Sequence, residues 1–226
     1  MKYHSEIWDN FCDRMKIFDS SVKLFKESER LVVETKEIGV KLRRHVLCRN
    51  EKMEKLIKKE TDLLVDDWKH QKDEYDGLIY MMCIKQSGKI KPLYIGKTET
   101  IGKGDRNLSV NIENLHKNSS KFARWGDNYA YHIGDLSAVV IPGHDKKKIN
   151  PKYVSWADQL FENFPSGNPK LKASVYFWTT AWEKTNVGIW EEFGATRLTF
   201  LEYLLIGVAS SVFPELLLNR EGQNRS

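Results

Sequence analysis

Two tyrosines, one glutamate and a few arginines are the residues here whose types and setting could do chemistry. Tyr80 lies in "GLIYMMCIK" and Tyr94 in "KPLYIGKT", two short apolar runs on either side of a polar turn. If the runs pair as strands, alternation can bring the two phenols to one face. A tyrosine can position or activate a water, although such a pair also serves as ordinary cross-strand packing. Glu202 stands among Leu201, Leu204, Leu205, Ile206 and Val208. A carboxylate on a buried helix is costly unless it is paired or bound to a cation. Two readings follow: a salt bridge to Arg197 or Arg124, or a ligand to a hard ion such as Mg2+ or Mn2+, which also takes phosphate and water oxygens.

"LIY" at 78–80 and "YIG" at 94–96 resemble the two half-motifs of the GIY-YIG nucleases. The second half matches in full and is followed by Lys97. In the first, Leu78 replaces the glycine, and Gly77 stands one place earlier. The family pattern continues with an arginine, a glutamate inside an apolar helix and then an asparagine. Glu202 in "LEYLLI" and Asn219 in "LLLNRE" follow that order. The resemblance runs from about Asp76 to Glu221. It implies a metal-dependent endonuclease that hydrolyses DNA phosphodiester bonds with Mg2+ or Mn2+, and a metal held by Glu202. By resemblance, Tyr80 activates the water, Tyr94 orients the nucleophile or the phosphate, and Asn219 steadies the metal shell or a phosphate. Gly96, Lys97 and Arg106 fall on the substrate side. Arg124, in "KFARWGDNYAYHIGD", is the favoured charge-stabilising arginine over Arg106 in "GKGDRNLS", because its aromatic surroundings read as a shaped wall. His132 is the accompanying histidine; His116 takes that place if Arg106 is the arginine.

The elements that must position these residues read as an α+β fold: a small antiparallel sheet flanked by helices, preceded by an α-helical extension. Residues 1–74 hold no proline and a single glycine, Gly39. Their apolar residues recur at helical spacing (Ile7, Phe11, Met15 and Phe18; Val22, Phe25 and later Ile38, Leu42 and Val46; Met53, Leu56, Ile57, Leu64 and Trp68), which predicts about three helices. Acidic and basic residues nearly balance there, so helix pairing or partner binding is expected over direct DNA reading. In the nuclease-like part, 75–226, "LIYMMCIK", "PLYIGKT", "YAYHIGDLSAVVI" and "KASVYFWTTAWE" read as strands. "NLSVNIENLHKN" and "TRLTFLEYLLIGVASSVF" read as helices. The Pro- and Gly-rich 142–170 stretch, with Lys146–Lys148, reads as an insertion that includes the helix "SWADQLFENF".

The chain has 226 residues, 41% of them apolar and 12% aromatic, enough for a real core. A net charge of +5 is compatible with a polyanionic partner such as DNA. Three scattered cysteines, with no CxxC pair, argue against a disulfide framework or a zinc site. No run is long and apolar enough for a membrane span and none opens the chain as a signal peptide would, so a cytoplasmic protein is expected. A compact nuclease domain with one helical extension suits a restriction-like or phage-defence enzyme by fold-level analogy, with homodimerisation or a partner protein on the N-terminal helices. The competing expectation is a catalytically weak nucleic-acid-binding or assembly module on the same fold.

Overall fold

A computed structural model describes residues 2–39, 43–102, 107–118 and 132–219. Its centre is a four-stranded antiparallel sheet in the order β1-β6-β4-β5. The strands are β1 (Val22–Lys23), β4 (Tyr75–Gln86), β5 (Lys89–Glu99) and β6 (Tyr176–Glu183). β4 and β5 form one long hairpin closed by Ser87 and Gly88, both at positive φ, as a two-residue turn between twisted strands requires. β5 is an edge strand.

Alternation along β4 sorts its side chains into two cores. Leu78 and Met82, with Tyr80 packed beside them, share one core with β6 residues Phe177 and Ala181. That face is covered by α3 (Glu51–Lys69), α4 (Val110–Lys117), α5 (His132–Val140) and α6 (Pro151–Leu160). Ile79, Met81 and Cys83 enter the other core, against α1 (Lys2–Arg14), α2 (Ile17–Ser20) and α7 (Leu198–Val212). The strands are thus apolar on both faces, as a sheet sandwiched between helices must be.

The N-terminal residues depart from the expected extension. α1 and α3 are helices, but the Ile38 and Val46 stripe belongs to a β-hairpin, β2 (Thr35–Ile38) paired with β3 (Arg44–Leu47); Leu42 lies outside the described residues. β1 joins the main sheet beside β6, with Val22 opposite Phe177. Trp8, Phe11 and Cys12 of α1 are buried with Leu201 and Leu205 of α7, and Met53, Ile57 and Leu64 of α3 with Leu78. These residues complete both cores instead of standing apart from them. A second departure is "HIGDLSAVV", expected as strand, which forms α5. Its residues are buried nearly all round, so the sequence carries no amphipathic stripe to mark a helix. No described helix is long and apolar enough to cross a membrane.

Candidate active site

Register brings the two phenols together. Tyr80 lies opposite Gly96, and Met82 opposite Tyr94. Tyr80 and Tyr94 are therefore diagonal neighbours on one face, with ring centroids 6.3 Å apart. Gly96 is what lets them meet. A Cβ built there would stand 2.6 Å from both Cζ and Oη of Tyr80. The Tyr80 ring thus extends from β4 across the bare backbone of edge strand β5, and its hydroxyl hydrogen-bonds with that of Tyr94. Phe177 stacks on the other flank of Tyr80 at 6.1 Å.

Gly77, next to Leu78, also has a physical role. Gly77 sits beside a register shift of β4 at φ 152°, and a Cβ there would meet the Thr98 carbonyl oxygen at 2.2 Å. Leu78 next to it is fully buried.

Burial is the main cause that holds the Tyr80 phenol well above its ordinary pKa; the Tyr94 phenol, the Glu202 carboxylate and Tyr153 push the same way. Glu202 projects from α7, beneath the opposite face, yet its charge acts on Tyr80. It is half-buried. Arg197, one expected partner, is committed instead to Asp76, with Nε and Nη2 on the carboxylate at 2.6–3.0 Å. That ion pair keeps Asp76 charged below the usual carboxylate range, although burial opposes it.

Asn219 is buried and spends its amide on the edge strand. Its Oδ1 accepts from Ile95 N at 2.9 Å, and its Nδ2 donates to Ile95 O at 2.8 Å. Leu218 N donates to Leu93 O beside it, at 2.7 Å. The amide imitates a neighbouring strand on the residue between Tyr94 and Gly96, a positioning contact and not one that faces the phenols. Lys97 pairs with Glu99 at 2.6 Å, and Thr199 donates to the same carboxylate. Its register partner is Ile79, so it points to the face opposite the tyrosines. His116 bonds Asp62 at 3.0 Å and ties α4 to α3. Arg124 and Arg106 lie outside the described residues, as does the side chain of His132.

The 142–170 stretch, expected as an insertion, supplies a wall over Tyr94. Asn150 caps α6 by accepting from Lys152 N, and Pro151 occupies the first turn. Tyr153, Trp156, Ala157 and Leu160 then recur at the spacing of a buried helix face. Trp156 covers Tyr94 at 4.9 Å, and Tyr153 packs on Trp156 at 5.2 Å. Lys152 Nζ lies 5.3, 5.7 and 5.5 Å from the ring centres of Tyr94, Tyr153 and Trp156. Asp135 of α5 completes the group; burial raises its carboxyl to about 6, against the pull of Lys152. The amphipathic spacing of α6 is a signal present in the sequence, but only the fold reveals that its face closes over Tyr94.

A separate cleft of about 1030 Å³, bordered by Asp73, Asp76, Glu99, Lys184 and Arg197, does not include the phenols. Its mixed lining has no excess of cations to draw in a polyanion.

No protein-family model, no curated protein and no solved structure matches the chain.

Among the described residues no three His, Cys, Asp or Glu side chains gather into a group that could hold a metal alone. Mg2+ does not require one, since a single carboxylate with waters and substrate phosphate suffices. The half-buried Glu202, whose charge acts on Tyr80, suits that donor set.

Proposed function

We propose that this chain is a metal-dependent endonuclease acting on DNA phosphodiester bonds. The observation that carries the reading is the pair of hydrogen-bonded phenols on Gly96, with the charge of Glu202 acting on Tyr80 through the sheet. Packing alone does not require a glycine opposite Tyr80.

Glu202 would hold Mg2+ or Mn2+, which when bound supplies charge neutralisation at the phosphate. The remaining work falls to the chain's own groups. With its pKa raised, Tyr80 rests as a neutral phenol. Its proton is held toward Tyr94, so its oxygen can accept a hydrogen bond from the attacking water and fix the line of attack. Tyr94 orients the phosphate or the water from the adjacent position. Asn219 fixes the Ile95 backbone between Tyr94 and Gly96, and so sets the spacing of the two phenols.

The test is plasmid cleavage with Mg2+ or Mn2+ by the wild type and by Glu202→Ala. Cleavage by the wild type and its loss in the variant are expected. Intact plasmid with the wild type across metals and salts overturns the nuclease reading. Equal cleavage by both proteins removes Glu202 from the site.

A further inference from the structure

We propose that Lys152, on the helix that closes over Tyr94, is the cation that receives a backbone phosphate of the nucleic acid at the tyrosine pair. This rests on the endonuclease reading and assigns a substrate contact that the motif pattern does not contain.

Placement is the first argument. The ammonium stands within 5.3–5.7 Å of three ring centres, one of them Tyr94, which itself bonds Tyr80. Aromatic faces attract a cation through their quadrupole without taking up its protons as an oxygen would. The rings therefore hold the charge at the cluster while phosphate oxygens remain suitable acceptors. The backbone beneath is fixed, because Lys152 N donates to the Asn150 cap in the first turn of α6.

Comparison with the other cations is the second argument. Lys97 lies on the opposite face of the sheet with Glu99, and Arg197 is clamped to Asp76. Among the described residues, Lys152 is the cation placed over Tyr94. Asp135, half-buried on a different helix, is an acid whose titration Lys152 influences. A lysine suits the task as a compact point charge that can follow a phosphate.

The experiment measures binding of a labelled DNA duplex to the full chain in chelator, from about 50 to about 300 mM salt. The wild type is compared with Lys152→Ala and Lys152→Arg, each first checked for an unchanged unfolding temperature. Lys152→Ala is expected to bind about tenfold more weakly, with a log–log salt slope lower by about one phosphate contact. Lys152→Arg is expected to keep most of the affinity and the slope. Equal affinity and slope for the wild type and Lys152→Ala overturn the proposal and leave Lys152 a packing residue. Equal loss in Lys152→Ala and Lys152→Arg also overturns it, because charge would then not be what matters. Duplex binding that needs Lys152, without metal-dependent cleavage, would retain the phosphate contact and reject the nuclease reading. A wild type that binds no duplex rejects both.

Discussion

The tip of the Tyr80 ring occupies the space that a side chain at Gly96 would fill, 2.6 Å from the position of the missing Cβ. Contact that close is not tolerated between carbon atoms, so Gly96→Ala must lift the ring off β5. The hydroxyl then leaves Tyr94. Overpacking of this kind costs about 1–3 kcal/mol, and under the proposed endonuclease function a shift of about 1 Å in Tyr80 costs about a hundredfold in rate. Thermal unfolding and single-turnover plasmid cleavage check the two effects. The double variant with Tyr80→Phe is the sharper measurement. If both changes act through one hydroxyl, the double loses little more activity than the worse single. Additive losses would mean that Gly96 and Tyr80 act separately.

Asn219 makes a similar prediction for the other side of β5. Asn219→Ala removes the donor and the acceptor that satisfy Ile95, deep enough that water does not readily replace them. About 1–3 kcal/mol of destabilisation is expected. Amide exchange at Ile95 and Leu218 should accelerate, while exchange in β6 should change little. Loss of activity with unaltered exchange at Ile95 would instead place Asn219 in contact with substrate.

These two residues also show how far the sequence could be read. The hairpin was legible because Tyr80 and Tyr94 lie in short β-rich runs around a turn, and the diagonal pairing follows from alternation. α7 was legible from its length and apolar content. Chain order puts Asn219 after α7, but that its amide serves the edge of β5 is a tertiary fact. The Ile38 and Val46 stripe misled for a simpler reason. A spacing of four residues fits a helical face and, being even, fits one face of a strand as well. In the structure both side chains join a small cluster with Ala138 of α5. "HIGDLSAVV" misled because burial on nearly all sides erases period. Lys152 lies far along the chain from Tyr94, so no spacing rule joined them.

Glu202 and Tyr80 are coupled through charge, and the coupling has a measurable sign. The carboxylate disfavours the phenolate, so Glu202→Gln should lower the Tyr80 pKa. Ultraviolet phenolate titration, with Tyr80→Phe subtracted, isolates this tyrosine. Mg2+ alone should lower the same titration in the wild type and have little effect in Glu202→Gln. No response to Mg2+ in the wild type would detach Glu202 from metal binding, independently of any activity. Since burial is the larger cause, the phenol should stay above its ordinary value even in Glu202→Gln.

Asp135 gives a prediction about pH. Its carboxyl rises from 3.8 to about 6, mainly because burial disfavours the anion. Between those values the folded chain holds a proton that the unfolded chain has released. Stability from this group is therefore fully present below about pH 4, is lost as pH rises to about 6, and is flat above. Asp135→Asn removes the penalty. Two pKa units would be a ceiling of about 3 kcal/mol, and partial exposure reduces the expected gain to about 1 kcal/mol. That corresponds to an unfolding temperature higher by about 2–4 °C near pH 8, relative to the wild type under the same conditions. At about pH 3 and below, the difference attributable to charge should vanish, because the wild-type residue is then mostly neutral in both states. Removing the same anion also takes away a carboxylate that is electrostatically coupled to Lys152. Duplex binding by Asp135→Asn should therefore exceed wild type near pH 8 and match it near pH 5. A stability gain that is constant across pH would trace to packing of the amide, and would place the Asp135 charge outside the tyrosine cluster.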